Sequence, residues 1–130
     1  MDIKVTFDGN KKVNAQVGNH IVCTDQPINS GGDDTAVSPF ELFLASMATC
    51  AGIYVKGFCD NRSIPTDGIS ITQTHQFNEK GMATEIDIIV NLPVGFPEKY
   101  VDSIIHVAGL CKVKQHLLNP PVVAVKAIVG

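Results

Sequence analysis

One segment leaves the rest of the chain little freedom: the apolar run that begins at Ser38. Ser38-Pro39-Phe40-Glu41 has the layout of a helix start, with Ser at the N-cap, Pro at the first helical position and Glu41 at the third, closing a capping box. From there to Phe58, Leu42, Phe43, Leu44, Met47, Ile53, Tyr54 and Val55 point in every direction around a helical axis rather than along one stripe, which predicts a helix buried on all sides. A chain of 130 residues fills one domain with one core. Its own sheet can hardly enclose five helical turns, so the uncovered face calls for a second copy and a homodimer is expected. The uncharged run Leu42–Val55 is shorter than the roughly 20 residues a bilayer requires, so it is read as a core helix and no membrane partner is expected.

The remainder alternates between strand and helix signals. Ile3, Val5 and Phe7 alternate, Asp8-Gly9-Asn10 turns, and Val13, Ala15 and Val17 alternate again, which predicts a hairpin of half-buried strands followed by a third strand over His20–Thr24. A polar loop, Asn29 to Thr35, leads into the helix. After the break at Ile64-Pro65-Thr66-Asp67-Gly68, a second hairpin is expected over Ile69–Gln76 and Thr84–Leu92. A helix then starts at Pro97-Glu98 and ends at Gly109, and a short one spans Cys111–Leu118. Asn119-Pro120-Pro121 stops it before a terminal strand over Val122–Val129. Strand runs separated by helices make the class α+β, a single domain over residues 1–130.

A formal net charge of −3 with scattered Lys and Arg offers no basic face for phosphates, and no nucleic-acid partner is expected. Gly31-Gly32 lacks the Lys and Ser/Thr of a phosphate loop and precedes two aspartates. The first residues lack the apolar core of a secretory signal, which points to the cytoplasm. In that reducing compartment Cys23, Cys50, Cys59 and Cys111 are thiols, and with no C-x-x-C pair among them a structural zinc site lacks its usual signature. Cys50 lies mid-helix, where alanine would pack better if packing were the only demand, although a free cysteine there also serves as a small buried hydrophobe. Cys111 follows Gly109-Leu110 and opens a short helix, where unpaired N–H groups, the helix dipole and nearby Lys112 and Lys114 favour a thiolate. Cys59, nine residues after Cys50, faces the opposite side of the same helix about 13 Å along it, so the two cannot pair. Cys23 reads as core filler. His106 and His116 lie on the helices flanking Cys111 and read as solvated or satisfied helix residues rather than as a base, and His20 and His75 carry no pairing signal.

Asp25-Gln26-Pro27, Gly31-Gly32-Asp33-Asp34-Thr35 and Ser38-Pro39-Phe40-Glu41-Leu42-Phe43 leading to Ala48-Thr49-Cys50, then Ala108-Gly109-Leu110-Cys111-Lys112-Val113, together resemble the OsmC/Ohr family over nearly the whole chain. The resemblance implies antiparallel sheets wrapped around long buried central helices in an intertwined homodimer, with each site at the subunit interface. It also implies a thiol peroxidase without metal, flavin or other cofactor. In such an enzyme Cys50 attacks an organic hydroperoxide or other small apolar substrate, Cys111 resolves the sulfenic acid as a disulfide, Glu41 supports the site, and a dithiol or lipoyl-type reductant reopens the bond. The pattern differs in two places. Where peroxidases of the family carry an arginine in the early strands, this chain offers Lys4, Lys11 or Lys12, its one arginine being Arg62. Phe40 stands where the family's carboxylate follows the helix-start proline, with Glu41 one residue later and about 100° further round. The competing reading is a protein that binds a small apolar or sulfur-containing ligand at the interface, in a pocket of Phe40, Phe43, Met47 and Tyr54. A third has both thiols as packing residues.

Overall fold

Alternation in the first 24 residues produces the expected strands: in the computed structural model, which describes all 130 residues, β1 (Ile3–Phe7), β2 (Val13–Val17) and β3 (His20–Thr24) form an antiparallel sheet in that order. Its register pairs Ile3 with Val17 and Val13 with Thr24. Gly9 (φ 100°) and Asn10 (φ 47°) supply the left-handed residues of the first turn. The sheet belongs to the first of two compact units, Met1–Ser46; the second is Met47–Gly130. Half-burial of the first hairpin is not realised in β1, where all five residues are exposed, and Cys23 is exposed rather than core filler.

The loop into the long helix is rigid for identifiable reasons. Asp25, with no solvent exposure, accepts hydrogen bonds from the Gln26 and Thr35 N–H groups and from the Thr35 hydroxyl. That hydroxyl bond, followed by the backbone bonds, holds the carboxyl well below the usual carboxylate range. A Cβ on Gly32 would lie 2.0 Å from the Gln26 carbonyl oxygen, so only glycine fits. Lys12 pairs with Asp33 at 2.6 Å, and Asn10 donates to the Gly31 carbonyl. The Asp25, Gly32 and Thr35 that carry the family resemblance are thus loop-building residues.

Helix α1 spans Pro39–Asn61, three residues beyond the expected end, because a Schellman cap closes it. Ile64 N–H donates to the Cys59 carbonyl and Ser63 N–H to that of Asp60, with Ser63 left-handed at φ 55°. At 23 residues α1 is long and apolar enough to cross a bilayer by length and composition, a property that core helices share. Burial on all sides is not what this chain achieves alone. Leu44, Met47, Ala51, Val55 and Phe58 are buried along one stripe, while Phe40, Leu42, Phe43 and Ile53 are exposed.

In the second unit, β4 (Ser70–Phe77) and β5 (Ala83–Asn91) pair antiparallel with a bulge at Gln76/Phe77. α2 (Val101–Ala108) and α3 (Lys112–Leu118) follow. One core joins Ala51, Val55, Phe58 and Cys59 of α1 to Ile104 and Ala108 of α2, with Ile69, Ile71, Ile88 and Val90 of the hairpin packed against them. The fold is the expected α+β combination of antiparallel sheets and helices. The terminal strand is not formed: residues 120–130 have no regular structure, and Val122, Val125 and Ile128 are almost fully exposed. The period-2 pattern is present, but a strand needs a neighbouring edge, and this chain lends it none.

Candidate active site

The buried stripe of α1 fixes where Cys50 can point. Met47 and Ala51 face the core, so Cys50 sits at the edge of the stripe, half-buried. Cys111 arrives from the other side of the same unit. α2 is pinned through Ile104 and Ala108, and Gly109 and Leu110 close its end by donating to the Ile105 and Val107 carbonyls. The chain then delivers Cys111 to the N-cap of α3 with no solvent exposure. There its sulfur accepts the Lys114 N–H at 3.4 Å and lies near enough to Cys50 to feel its thiol. Both cysteines are unbridged. The two residues singled out from the sequence are therefore neighbours in space, although they stand 61 positions apart in numbering.

The expectation of a favoured Cys111 thiolate is reversed. Burial is the largest influence and pushes its thiol up; the Lys114 and Val113 N–H groups pull it down, and the neighbouring Cys50 pushes it up again. A three-turn or shorter helix end cannot offset complete loss of solvent. Cys59, also without solvent exposure, is raised by the same desolvation and stands apart in the core.

Glu41 performs the capping-box role read from the sequence. Its Oε1 accepts from the Ser38 N–H (3.1 Å) and hydroxyl (2.9 Å), its own N–H donates to the Ser38 Oγ (3.2 Å), and the Ser38 bonds lower its carboxyl. It lies two and a half helical turns upstream of Cys50. Arg62 is committed elsewhere: its guanidinium lies 3.7 Å from the Phe58 ring centroid and 5.4 Å from that of Tyr100, and donates to the Phe58 carbonyl. Twelve residues from Cys50, it stands about 18 Å away along the helix.

Beside the thiols, the second unit contains an apolar cavity of about 630 Å³. Met47, one turn before Cys50, and Ala108-Gly109, just before Cys111, line it together with Ile86, Ile88 and Ile105; the two cysteines themselves do not. Of the four residues expected to line a pocket at the subunit interface, Met47 also lines this cavity, while Phe40 and Phe43 stack on each other at 6.1 Å between centroids. The residues that sequence reasoning missed, Ile86, Ile88, Leu117 and Leu118, read there only as ordinary strand and helix apolar positions. No cluster of His, Cys, Asp and Glu suited to a metal ion is present.

Residues 31–126 match the family of OsmC-like proteins. Solved structures with the same fold include a Psychrobacter arcticus protein described as an osmotic stress induced and detoxification response protein, with 22% identity, 87% of this chain and 85% of that one covered, and a TM-score of 0.73. An OsmC-like protein from Mycoplasma pneumoniae superposes at a TM-score of 0.70 with 14% identity, over 92% of this chain and 87% of its own. The organic hydroperoxide resistance protein OsmC of Legionella pneumophila is similar at 17% identity and a TM-score of 0.54, with 90% and 89% covered. No curated protein sequence matches the chain.

Proposed function

The chain belongs to the OsmC-like family, and we propose that it is a cytoplasmic thiol peroxidase that reduces organic hydroperoxides through Cys50 and Cys111. The observation that carries this reading is the proximity of the two thiols, in the unit that also holds an apolar cavity lined by Met47, Ala108 and Gly109. The name of the Legionella relative agrees with it.

The environments of the two sulfurs divide the labour. Cys111 is fully buried and retains its proton; Cys50 is half-exposed beside the cavity and acts as the nucleophile. The Cys50 thiolate attacks the terminal oxygen of ROOH, forming an S–O bond as the O–O bond breaks. The departing alkoxide takes a proton and leaves as ROH, with Cys50 as sulfenic acid. The Cys111 sulfur then attacks the Cys50 sulfur, releasing water and closing a disulfide, so that one peroxide has consumed two thiols. A dithiol of the lipoyl type reopens the bond by exchange. Glu41 acts in this scheme through the cap of α1, and the chain's one arginine, Arg62, is engaged by Phe58 and Tyr100 rather than by the sulfurs. Slow turnover is therefore expected. With dihydrolipoamide as reductant, the native protein consumes cumene hydroperoxide catalytically, and Cys50→Ser abolishes this. Cys111→Ser supports a single turnover, ending in sulfenic or sulfinic acid at Cys50. Equal consumption by native protein and Cys50→Ser overturns the reading.

The same reading includes a homodimer. β1 is exposed at every residue, α1 leaves Leu42 and Ile53 uncovered, and the valine-rich segment after Pro121 is unpaired. Such surface is far more than a lone soluble chain ordinarily shows, and strand edges and β-like segments of this kind are satisfied by a second copy. Sedimentation is expected to give twice the chain mass across micromolar concentrations; a monomer at all concentrations contradicts the assignment.

A further inference from the structure

Helix α3 has little of its own to keep it folded. It has seven residues, none of them buried, a length at which a helix is marginal in water without packing. Its first turn holds no acid and carries Lys112 and Lys114 instead, cations at the end of the dipole that repels them. What closes that end is a sulfur. The N-cap is Cys111, whose Sγ accepts the Lys114 N–H at 3.4 Å in place of the usual hydroxyl or carboxylate. Gln115 adds one tie, from its Nε2 to the Leu110 carbonyl at 2.6 Å. Leu117 and Leu118, 47% and 70% exposed, reach the apolar cavity together with Lys114 and make α3 one of its walls. The sulfur that caps α3 is thus the one that neighbours Cys50.

We propose that α3 is a redox-responsive wall, ordered while Cys111 is a thiol and loosened once Cys111 is bonded to Cys50, so that the cavity is enclosed before oxidation and open after it. The inference rests on the reading of Cys50 and Cys111 as a peroxide-driven pair, and it adds a regulation of that same site. In the linking reaction the two thiols give two hydrogens and two electrons to ROOH, which leaves as ROH and water, and one S–S bond replaces two S–H bonds. Bonded sulfurs stand about 2.05 Å apart with a dihedral near 90°, far closer than unbonded ones, so one side has to move. The Cys50 side is held: Met47, Ala51, Val55 and Phe58 bury the surrounding turns of α1, and Ile71 and Ile88 of the hairpin pack on the same core. Beyond Cys111 the chain enters a helix with no buried residue, so the displacement falls there. A sulfur drawn toward Cys50 leaves the Lys114 N–H without its acceptor, and loss of an N-cap corresponds to about fivefold easier opening of a helix end.

The test is hydrogen exchange, read by mass spectrometry, on the full-length protein in two states: reduced, and linked between Cys50 and Cys111 by diamide, which takes up the same two hydrogens without any peroxide. Amides of residues 113–118 are expected to exchange about fivefold faster in the linked form, with β4, β5 and residues 47–58 of α1 unchanged. Trypsin is expected to cut faster after Lys112 and Lys114 in that form. Reduced Cys111→Ala has no cap and matches the linked protein. Cys111→Ser, whose hydroxyl caps well, keeps the slow exchange of α3 with or without diamide. Equal α3 exchange in reduced and linked protein, equal exchange in the two variants, protection lost evenly across the whole unit, or failure of the two thiols to link each overturn the proposal. A linked form loosened at α3 in a protein inert to peroxide would fail the peroxidase reading alone. A peroxide-reactive pair with α3 unmoved would fail this one alone.

Discussion

Adjacent residues of α2 provide a sharp contrast. Ile104 has no solvent exposure and sits in the core between α1 and the β4–β5 hairpin, whereas Ile105 is 55% exposed and faces the cavity. Truncating Ile104 to alanine removes three buried carbons, about 2.4 kcal/mol in transfer alone, and the unrelaxed void brings the expected loss to about 3–4 kcal/mol. For a chain of this size the unfolding entropy near the midpoint is about 0.27 kcal/mol per kelvin, so the melting temperature falls by about 11–15 °C. Ile105→Ala is expected to cost under about 1 kcal/mol, or less than about 4 °C. Because α2 also delivers Cys111, Ile104→Ala is expected to slow disulfide closure, while Ile105→Ala weakens binding of apolar ligands. Calorimetric melting of reduced native protein and both variants at one concentration measures the difference. Equal losses in the two variants, or the larger loss in Ile105→Ala, would refute the assigned register of α2 against the core.

Other consequences are independent of that contact. Ser63 holds a left-handed conformation at the end of α1, so Ser63→Gly is expected to stabilise by about 1 kcal/mol, read as a higher urea midpoint with unchanged slope. Cys59 and Cys111 both have raised thiols, so the folded state holds protons that the unfolded chain releases. Their contribution is whole below the ordinary thiol pKa of about 8.5 and is lost as pH rises through the folded values; stability therefore falls above about pH 8.5, and less steeply in Cys59→Ala. A flat profile to pH 10 contradicts the burial argument. Asp25 acts in the opposite sense: its carboxyl is depressed, so its contribution is present above about pH 4 and lost below it, and Asp25→Asn is expected to lose part of the acid-limb dependence in chemical denaturation.

Much of this was legible in the sequence because local chemistry determined it. Ser38, Pro39 and Glu41 specify the start of α1 with hydrogen bonds that need only four residues, and Asn10 and Gly9 specify the first hairpin through their own backbone preferences. The two cysteines stood out by position. What local pattern could not supply was environment. Cys111, followed by Lys112 and Lys114, reads as a surface thiol at a helix start; its complete burial comes from α1 and α2, distant in sequence. Lys114 reads as a charge near a cysteine, and its place at a cavity rim is set by β5 and α2. The strand pattern of Val122–Val129 is real as a pattern, but alternation records which side chains share a face and says nothing about which edge receives them.

The most direct measurement is peptide mapping of the reduced protein after one equivalent of an organic hydroperoxide, with intact mass taken alongside. The account predicts rapid loss of two hydrogens and a single linked peptide joining Cys50 to Cys111, with Cys23 and Cys59 still free. Four free thiols after prolonged exposure, or a link that omits either Cys50 or Cys111, would contradict it.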